Sequence, residues 1–363
     1  MASLFDPIRL GDIFAPNRIL MAPLTRGRSN DRHVPISPLK AEYYAQRAAA
    51  GLIIAEATGI SQQGMGWPYG PGIWSAEQID AWKPVTEAVH EAGGRIMLQL
   101  WHMGRLVHPD FLNGEAPVSA SATTAPGMAH TASGKKPYES ARALRIDEIP
   151  GIIADYVHAA RNAMAAGFDG VQVHAANGYL IDQFLRDNSN VRDDDYGGPI
   201  ENRIRLLRDV VSAVAGEVGA GRTAVRLSPN GETQGCDDSN PVALFTAAAS
   251  ALQDMDIAFL ELREQKDFGN FGTTDVPRIS PDIRRVFTNP LVLNQEYDRA
   301  RADADLDSGL ADAISFGRPY ISNPDLAARL QSGDAWTQDN FKTWYSEGAE
   351  GYTDWPALEA ENV

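Results

Sequence analysis

The chain is short of cysteine, of basic residues and of long apolar runs. One cysteine, Cys236, occurs among 363 residues. A lone cysteine excludes an intrachain disulfide framework and any multi-cysteine zinc or iron–sulfur site. No basic residue flanks it, so it reads as an inert thiol. Lys plus Arg number 32 against 48 Asp plus Glu, a net charge of −16. That balance disfavours broad contact with nucleic acid or an anionic membrane, yet allows a small local basic site. No stretch approaches the roughly 18 apolar residues that a spanning helix needs. The opening MASLFDPIRLGD has no basic region followed by an apolar one, so no signal peptide is expected. These absences lead to the expectation of a cytoplasmic protein with neither nucleic-acid nor membrane partners; separately from them, a monomer or homodimer is expected.

What is present is a repeating rhythm. Apolar residues make up 44% and charged residues 22%, so a sizeable packed core is expected and global disorder is not. Eight short apolar runs read as buried strands: Ile19–Ala22, Leu52–Ala57, Ile96–Leu100, Gly170–His174, Thr223–Leu227, Ile257–Glu261, Leu291–Asn294 and Ala313–Phe316. Helix signals lie between them. Ser75 with Gln78 forms a capping box, and Ser37-Pro38, Asn240-Pro241, Ser280-Pro281 and Asn323-Pro324 pair a cap residue with proline. Ile149, Ile152, Ile153, Tyr156 and Ala160 share one helical face. Glycines 51, 93 and 167 fall where helices should stop. A doubly wound sheet is the rival, but no GxGxxG follows the first strand. The reading is therefore α/β, a single (β/α)8 TIM barrel over 1–363. It carries an inserted capping or hairpin segment at 108–146 after strand three, and a C-terminal extension at 331–363.

Barrel chemistry gathers at the carboxyl ends of strands. Polar residues stand there after every run: Thr25, Thr58, Gln99 with His102, His174 with Asn177, Arg226, Glu261 with Arg263, Asn294 and Arg318. In Phe316-Gly317-Arg318-Pro319 the glycine lets the backbone approach a ligand, and the arginine can grip a phosphate. A surface arginine in a tight turn is the alternative. His174 and Asn177 can donate to one oxygen and polarise a carbonyl or nitro group, with Tyr179 as a nearby proton source. A core histidine bonded to backbone is the alternative there. His102, His174 and Asp182 could in principle hold a metal, but HxxN is a poor zinc motif and no metal is expected. Trp67, Tyr69, Trp74 and Trp101 could line a flat pocket or pack the barrel rim.

These segments resemble the Old Yellow Enzyme family of FMN-dependent ene-reductases along nearly the whole chain. The resemblance is carried by Asn17-Arg18-Ile19 through Arg26, Glu42–Arg47, Glu56-Ala57-Thr58, Gln99–Arg105, His174–Leu185, Tyr196-Gly197-Gly198 with Glu201-Asn202-Arg203, and Phe316–Pro319. It is strongest to bacterial members that reduce enones, maleimides and nitrate esters. It implies non-covalent FMN at the carboxyl-end face. Pro23, Leu24 and Ala57 would flank the ring, Thr25 the C4 carbonyl side, Gln99 the pyrimidine edge and Arg226 the N1–C2 side. Gly317 and Arg318 would hold the phosphate, with Asn294 nearby. His174 and Asn177 would bind the substrate oxygen, Tyr179 would donate the proton, and Trp67, Trp101 and Tyr352 would shape the pocket.

The implied reaction takes hydride from NADPH or NADH to flavin N5, then to the β-carbon of an α,β-unsaturated carbonyl compound. Tyr179 protonates the α-carbon from the other side. Alternatives are a nitrate-ester or nitroaromatic reductase on the same site, and a flavin-binding protein without turnover. Thr25 stands where one branch of the family has cysteine. Leu293-Asn294-Gln295 lacks the glycine pair that many members carry after strand seven.

Overall fold

The computed structural model describes residues 2–265 and 274–358. Residues 1, 266–273 and 359–363, among them the end of the tail at 331–363, lie outside that description. Eight parallel strands close into a barrel: β1 (Ile19–Met21), β2 (Leu52–Gly59), β3 (Ile96–Trp101), β4 (Gly170–His174), β5 (Thr223–Leu227), β6 (Phe259–Arg263), β7 (Leu291–Asn294) and β8 (Ala313–Phe316). Each pairs with its neighbour in the chain, and β8 pairs with β1 to seal the ring. The strand expected from Ile257 starts two residues later. The Ala258 amide is shared between the carbonyls of Ala220, in the turn below, and Thr223, the first residue of β5.

The principal helices are α1 (Ser37–Ala45), α2 (Ala76–Glu91), α3 (Ile149–Ala165), α4 (Arg205–Val218), α5 (Pro241–Gln253), α6 (Ser280–Arg284), α7 (Arg299–Asp307) and α8 (Leu326–Ser332). The Ser75–Gln78 capping box and the Asn240 cap form as the pattern predicts. Three of the cap-proline pairs behave otherwise. Ser37 already lies inside α1, and its hydroxyl donates to the Ala81 carbonyl instead. At α6 the first amides, Ile279 and Ser280, donate to the buried carboxylate of Glu264 (2.6 and 2.8 Å), so a distant side chain does the capping. Asn323 does not cap the start of α8, where Asp325 stands; its side-chain Oδ1 accepts from the Thr337 amide at 2.7 Å, tying the chain after β8 to the C-terminal extension.

Strand alternation explains why fully buried runs contain charged residues. Val171 and Val173 of β4, Leu260 and Leu262 of β6, and Leu291 and Leu293 of β7 face the helices and join the main core. The alternate positions turn inward. At the amino-terminal end of the barrel they are apolar, with Leu20, Ile54, Met97, Ala224, Phe259 and Val292 in one cluster. Toward the carboxyl end they become Gln99, Gln172, His174, Arg226, Glu261, Arg263 and Asn294, all buried.

A hairpin not foreseen from the sequence, Ile8–Leu10 against Ile13–Ala15, closes the apolar end, its Leu10, Ile13 and Ala15 packing into that cluster. Its strands of three residues are too short to show periodicity. The segment 108–146 contains the hairpin Met128–Thr131/Gly134–Pro137 and a two-residue parallel pairing of Val118–Ser119 with Arg142–Ala143. No described helix is long and apolar enough to cross a membrane.

Candidate active site

A cavity of about 420 Å³ opens at the carboxyl ends of the strands, within the size range of small-molecule sites. Pro23, Leu24 and Thr25 after β1, Arg226 of β5, Arg263 of β6, Asn294 of β7, and Gly317 and Arg318 after β8 line it, together with Asn177, Trp344 and Tyr345. The turn after β7 lacks the glycine pair, yet Gln295 and Glu296 adopt positive φ (104° and 52°). These two side chains hold a backbone shape that glycine takes more easily, and such strain concentrates at functional sites.

Beneath the cavity lies a buried polar network set up by strand register. Arg226 stands beside both His174 and Glu261 in the ladder, and Gln172 beside Gln99. Arg226 donates from Nη1 to Glu261 Oε2 (3.0 Å) and from Nη2 to Asn294 Oδ1 (2.7 Å). Asn294 Nδ2 donates to the Ser315 carbonyl (2.8 Å). Gln99 Nε2 donates to Gln172 Oε1 (2.7 Å), and Gln172 Nε2 to Glu261 Oε2 (2.8 Å). Ser315 Oγ donates to Glu261 Oε1 (2.5 Å).

The segment after β4 is held by its own side chains. Asn177 sits at φ 60° and Gly178 at φ 76°, where a Cβ would meet the Thr233 carbonyl oxygen at 2.6 Å. Only glycine fits at 178. Asp182, weighed above as a metal ligand, instead accepts from the Gly178 amide (2.8 Å) and from Arg186 Nε (2.9 Å). His102 Nδ1 accepts from the Gly104 amide (3.0 Å). Asn177 Oδ1 accepts from Arg263 Nη1 (3.0 Å), which leaves Nδ2 as that side chain's donor. Sequence reasoning saw Arg263 as a strand-end polar residue and gave it no role. The alternation Glu261-Leu262-Arg263 was the signal that it points inward beside Glu261.

The His174 and Tyr179 rings meet edge to face at 5.0 Å, and Tyr179 meets Trp101 in the same way at 5.0 Å. Burial, with the charges of Arg226 and Arg263, pushes the His174 imidazole well below its usual pKa. It is neutral near pH 7, one ring nitrogen carrying a proton. Burial raises the Tyr179 phenol above its usual value, opposed by a hydrogen bond from Gln234. Tyr179 thus holds its proton at neutral pH.

Other expected residues fall around this centre rather than on the cavity wall. Gln99 and Ala57 are buried beside it. Trp67 packs on Tyr345 (5.2 Å) and on His130 of the hairpin (4.8 Å), joining the insertion to the C-terminal segment. Tyr352 is fully buried away from the cavity, stacked on Tyr43 at 4.0 Å with Arg28 over its ring at 4.5 Å. The tail reaches the cavity instead through Trp336, Thr337, Gln338, Asp339, Trp344 and Tyr345. Arg26 and Arg28 hold that segment by its carbonyls, Arg26 at Trp344 and Gly351 (3.0 and 2.7 Å) and Arg28 at Trp344 and Thr343 (2.8 and 3.2 Å). Bonds of this kind, between residues more than 300 positions apart, cannot be read from sequence spacing.

The donor set suits a phosphorylated ring cofactor. Arg226, Arg263 and Arg318 gather on one cavity in a chain of net charge −16. Arg226 Nε and His174 Nδ1 are buried with no hydrogen-bond partner among the described residues. A Cβ at Gly317 would meet only Leu24 Cδ2 at 3.6 Å and Ala22 Cβ at 4.0 Å, so the fold itself does not demand glycine at the cavity wall. A carboxyl-end barrel cavity with an arginine just after β8 and a buried polar floor suits a phosphorylated cofactor and fits the class of cofactor-binding TIM-barrel enzymes.

Residues 3–336 match the family described as NADH:flavin oxidoreductase / NADH oxidase. The old yellow enzyme homologue of Zymomonas mobilis superposes with a TM-score of 0.96 at 61% identity, covering 98% of this chain and all of that one (100%). Morphinone reductase superposes at 0.95 with 43% identity over 100% of this chain and 98% of its own. The 12-oxophytodienoate reductase 1 of Oryza sativa subsp. japonica is 41% identical over 360 residues, 98% of this chain and 93% of that protein. The chain belongs to the Old Yellow Enzyme family of FMN- and NAD(P)H-dependent oxidoreductases, whose chemistry is the reduction of activated carbon–carbon double bonds.

Proposed function

We propose that this chain is an NADPH-dependent ene-reductase acting on α,β-unsaturated carbonyl compounds, enones, enals and maleimides among them. The observation that carries this reading is the convergence of His174, Asn177 and Tyr179 at the end of β4, beside a cavity whose floor is Arg226. When bound there, FMN supplies a hydride acceptor and donor that links the nicotinamide to the alkene. Everything else falls to the protein. Gly317 and Arg318 would hold the phosphate, Pro23 and Leu24 would lie against the ring, and Thr25 would stand at its C4 carbonyl side. Gln99 and Arg226 would meet its pyrimidine side, with Asn294 near the phosphate and Ala57 packed behind.

The neutral His174 and the Nδ2 of Asn177 donate to the substrate oxygen and stabilise charge as it develops. Tyr179 then delivers its proton to the α-carbon. Trp67 and Trp101 bound the substrate space, with Tyr345 rather than Tyr352 as the tail's contribution. Relatives are named for a 12-oxo compound, morphinone and, in Penicillium roqueforti, chanoclavine-I aldehyde. Carbonyl-activated alkenes therefore fit better than nitrate esters.

An absorption spectrum tests the reading. NADPH added anaerobically to the purified protein should bleach flavin bands, and 2-cyclohexenone should restore them. Bleaching by NADPH with no recovery on any enone, but recovery on a nitrate ester, would reject the substrate assignment. A protein that stays colourless after incubation with FMN would reject the site.

A further inference from the structure

Glu261 is a wholly buried carboxylate that the reaction above leaves unused. It accepts hydrogen bonds from Arg226, Gln172 and Ser315 (3.0, 2.8 and 2.5 Å). A carboxylate paired with arginine can only accept. That fixes the direction of everything bonded to it. Gln172 must present Nε2 to Glu261, which leaves its Oε1 for Gln99. Gln99 must then present Nε2 inward, and its own Oε1 accepts no hydrogen bond among the described residues. On the other arm, Arg226 is drawn down by one amino group onto Glu261 and by the other onto Asn294.

We propose that Glu261 is a positioning residue for the flavin: it turns Gln99 so that a carbonyl oxygen faces the pyrimidine edge, and it restrains the positive charge that Arg226 offers there. The inference rests on the placement of Arg226 and Gln99 given under Proposed function. Its consequence is electrostatic. Reduction adds negative charge to the ring's pyrimidine side, and Arg226 favours that charge. The buried Glu261 carboxylate, 3.0 Å from the same guanidinium, cancels part of the benefit. Glu261 therefore holds the bound cofactor's potential down, keeping it a stronger hydride donor to the alkene than Arg226 alone would permit.

The test is the midpoint potential of FMN bound to the full chain, measured by equilibration with a redox dye. Glu261→Gln keeps the shape and removes the charge. It should raise the preference for reduced over oxidised FMN about tenfold, an upward shift of about 30 mV for a two-electron couple. Glu261→Asp keeps the charge and should stay near the wild-type value. Ser315→Ala takes a donor away from Glu261 Oε1, leaves its charge less neutralised, and should shift the potential the other way. That variant and Glu261→Asp carry the test if Glu261→Gln does not fold. Arg226→Met should lower the potential. A shift with Arg226→Met but none with Glu261→Gln or Ser315→Ala overturns the role of Glu261 alone. No shift with Arg226→Met overturns the placement of Arg226, and the inference with it.

Discussion

Replacing Tyr179 with phenylalanine separates the proton from everything else this side chain does. The ring lies edge-on to Trp101 and His174, each at 5.0 Å, and phenylalanine keeps both contacts. The backbone turn also survives, because Gly178 and the Asp182 carboxylate hold it. What is lost is one O–H whose proton burial retains at neutral pH. A positioned general acid contributes about 100- to 10,000-fold. That corresponds to about 2.7–5.5 kcal/mol on the barrier of the alkene-reducing half-reaction. Stopped-flow absorbance reads the two halves apart, NADPH bleaching the flavin in one and an enone re-oxidising it in the other. Bleaching by NADPH, which needs no proton from Tyr179, should stay within about twofold, while re-oxidation falls by the full factor. A loss of re-oxidation below threefold, or an equal loss in both halves, would refute the proton-donor role.

Three further outcomes follow from other parts of the structure. Arg318→Ala should weaken FMN binding about tenfold or more, hydrogen bonds to a charged partner being worth about 1.5–3 kcal/mol; unchanged affinity by fluorescence titration would remove Arg318 from the phosphate site. Lys40→Met should cost about 3–5 kcal/mol in urea unfolding, because it leaves the Glu56 carboxylate buried without its cation. Both side chains are wholly buried with Nζ and Oε1 2.5 Å apart, and adding Glu56→Leu should recover part of the loss, whereas a cost below about 1 kcal/mol would show that water reaches the pair. Burial holds the His102 imidazole down at about 3. The unfolded chain therefore takes up a proton that the folded one refuses, and stability is lost as pH falls from about 6.5 toward 3, at up to about 1.4 kcal/mol per unit. His102→Asn, which keeps an acceptor for the Gly104 amide, should flatten that slope, and an unchanged slope would assign the acid sensitivity to other groups.

The barrel was legible because its signal is local. Each strand is a run of three to eight residues, and a helix cap such as Ser75–Gln78 is complete within four positions. Chemistry-bearing types were also legible, since a histidine, an asparagine and a tyrosine within six residues at the end of β4 need no partner to be noticed. Where a ligand must approach, Gly317-Arg318 is likewise a contiguous pair. Local signals failed where a distant group competed. The Glu264 carboxylate caps α6 from just beyond the end of β6, and the stacking of Tyr43 with the arginines draws Tyr352 away from the cavity.

By itself, then, the order of residues determined the eight strands, their alternation of inward and outward faces, and the trio at the end of β4, because each depends on neighbours within one turn or one strand. Barrel closure decided the rest. Only when β3 through β8 lie side by side do Gln99, Gln172, Glu261, Arg226, Asn294 and Ser315, spread over more than half of the chain, become one hydrogen-bonded floor. Hydrogen bonds reach about 3 Å, and which atoms stand that close is a property of strand register, not of sequence distance.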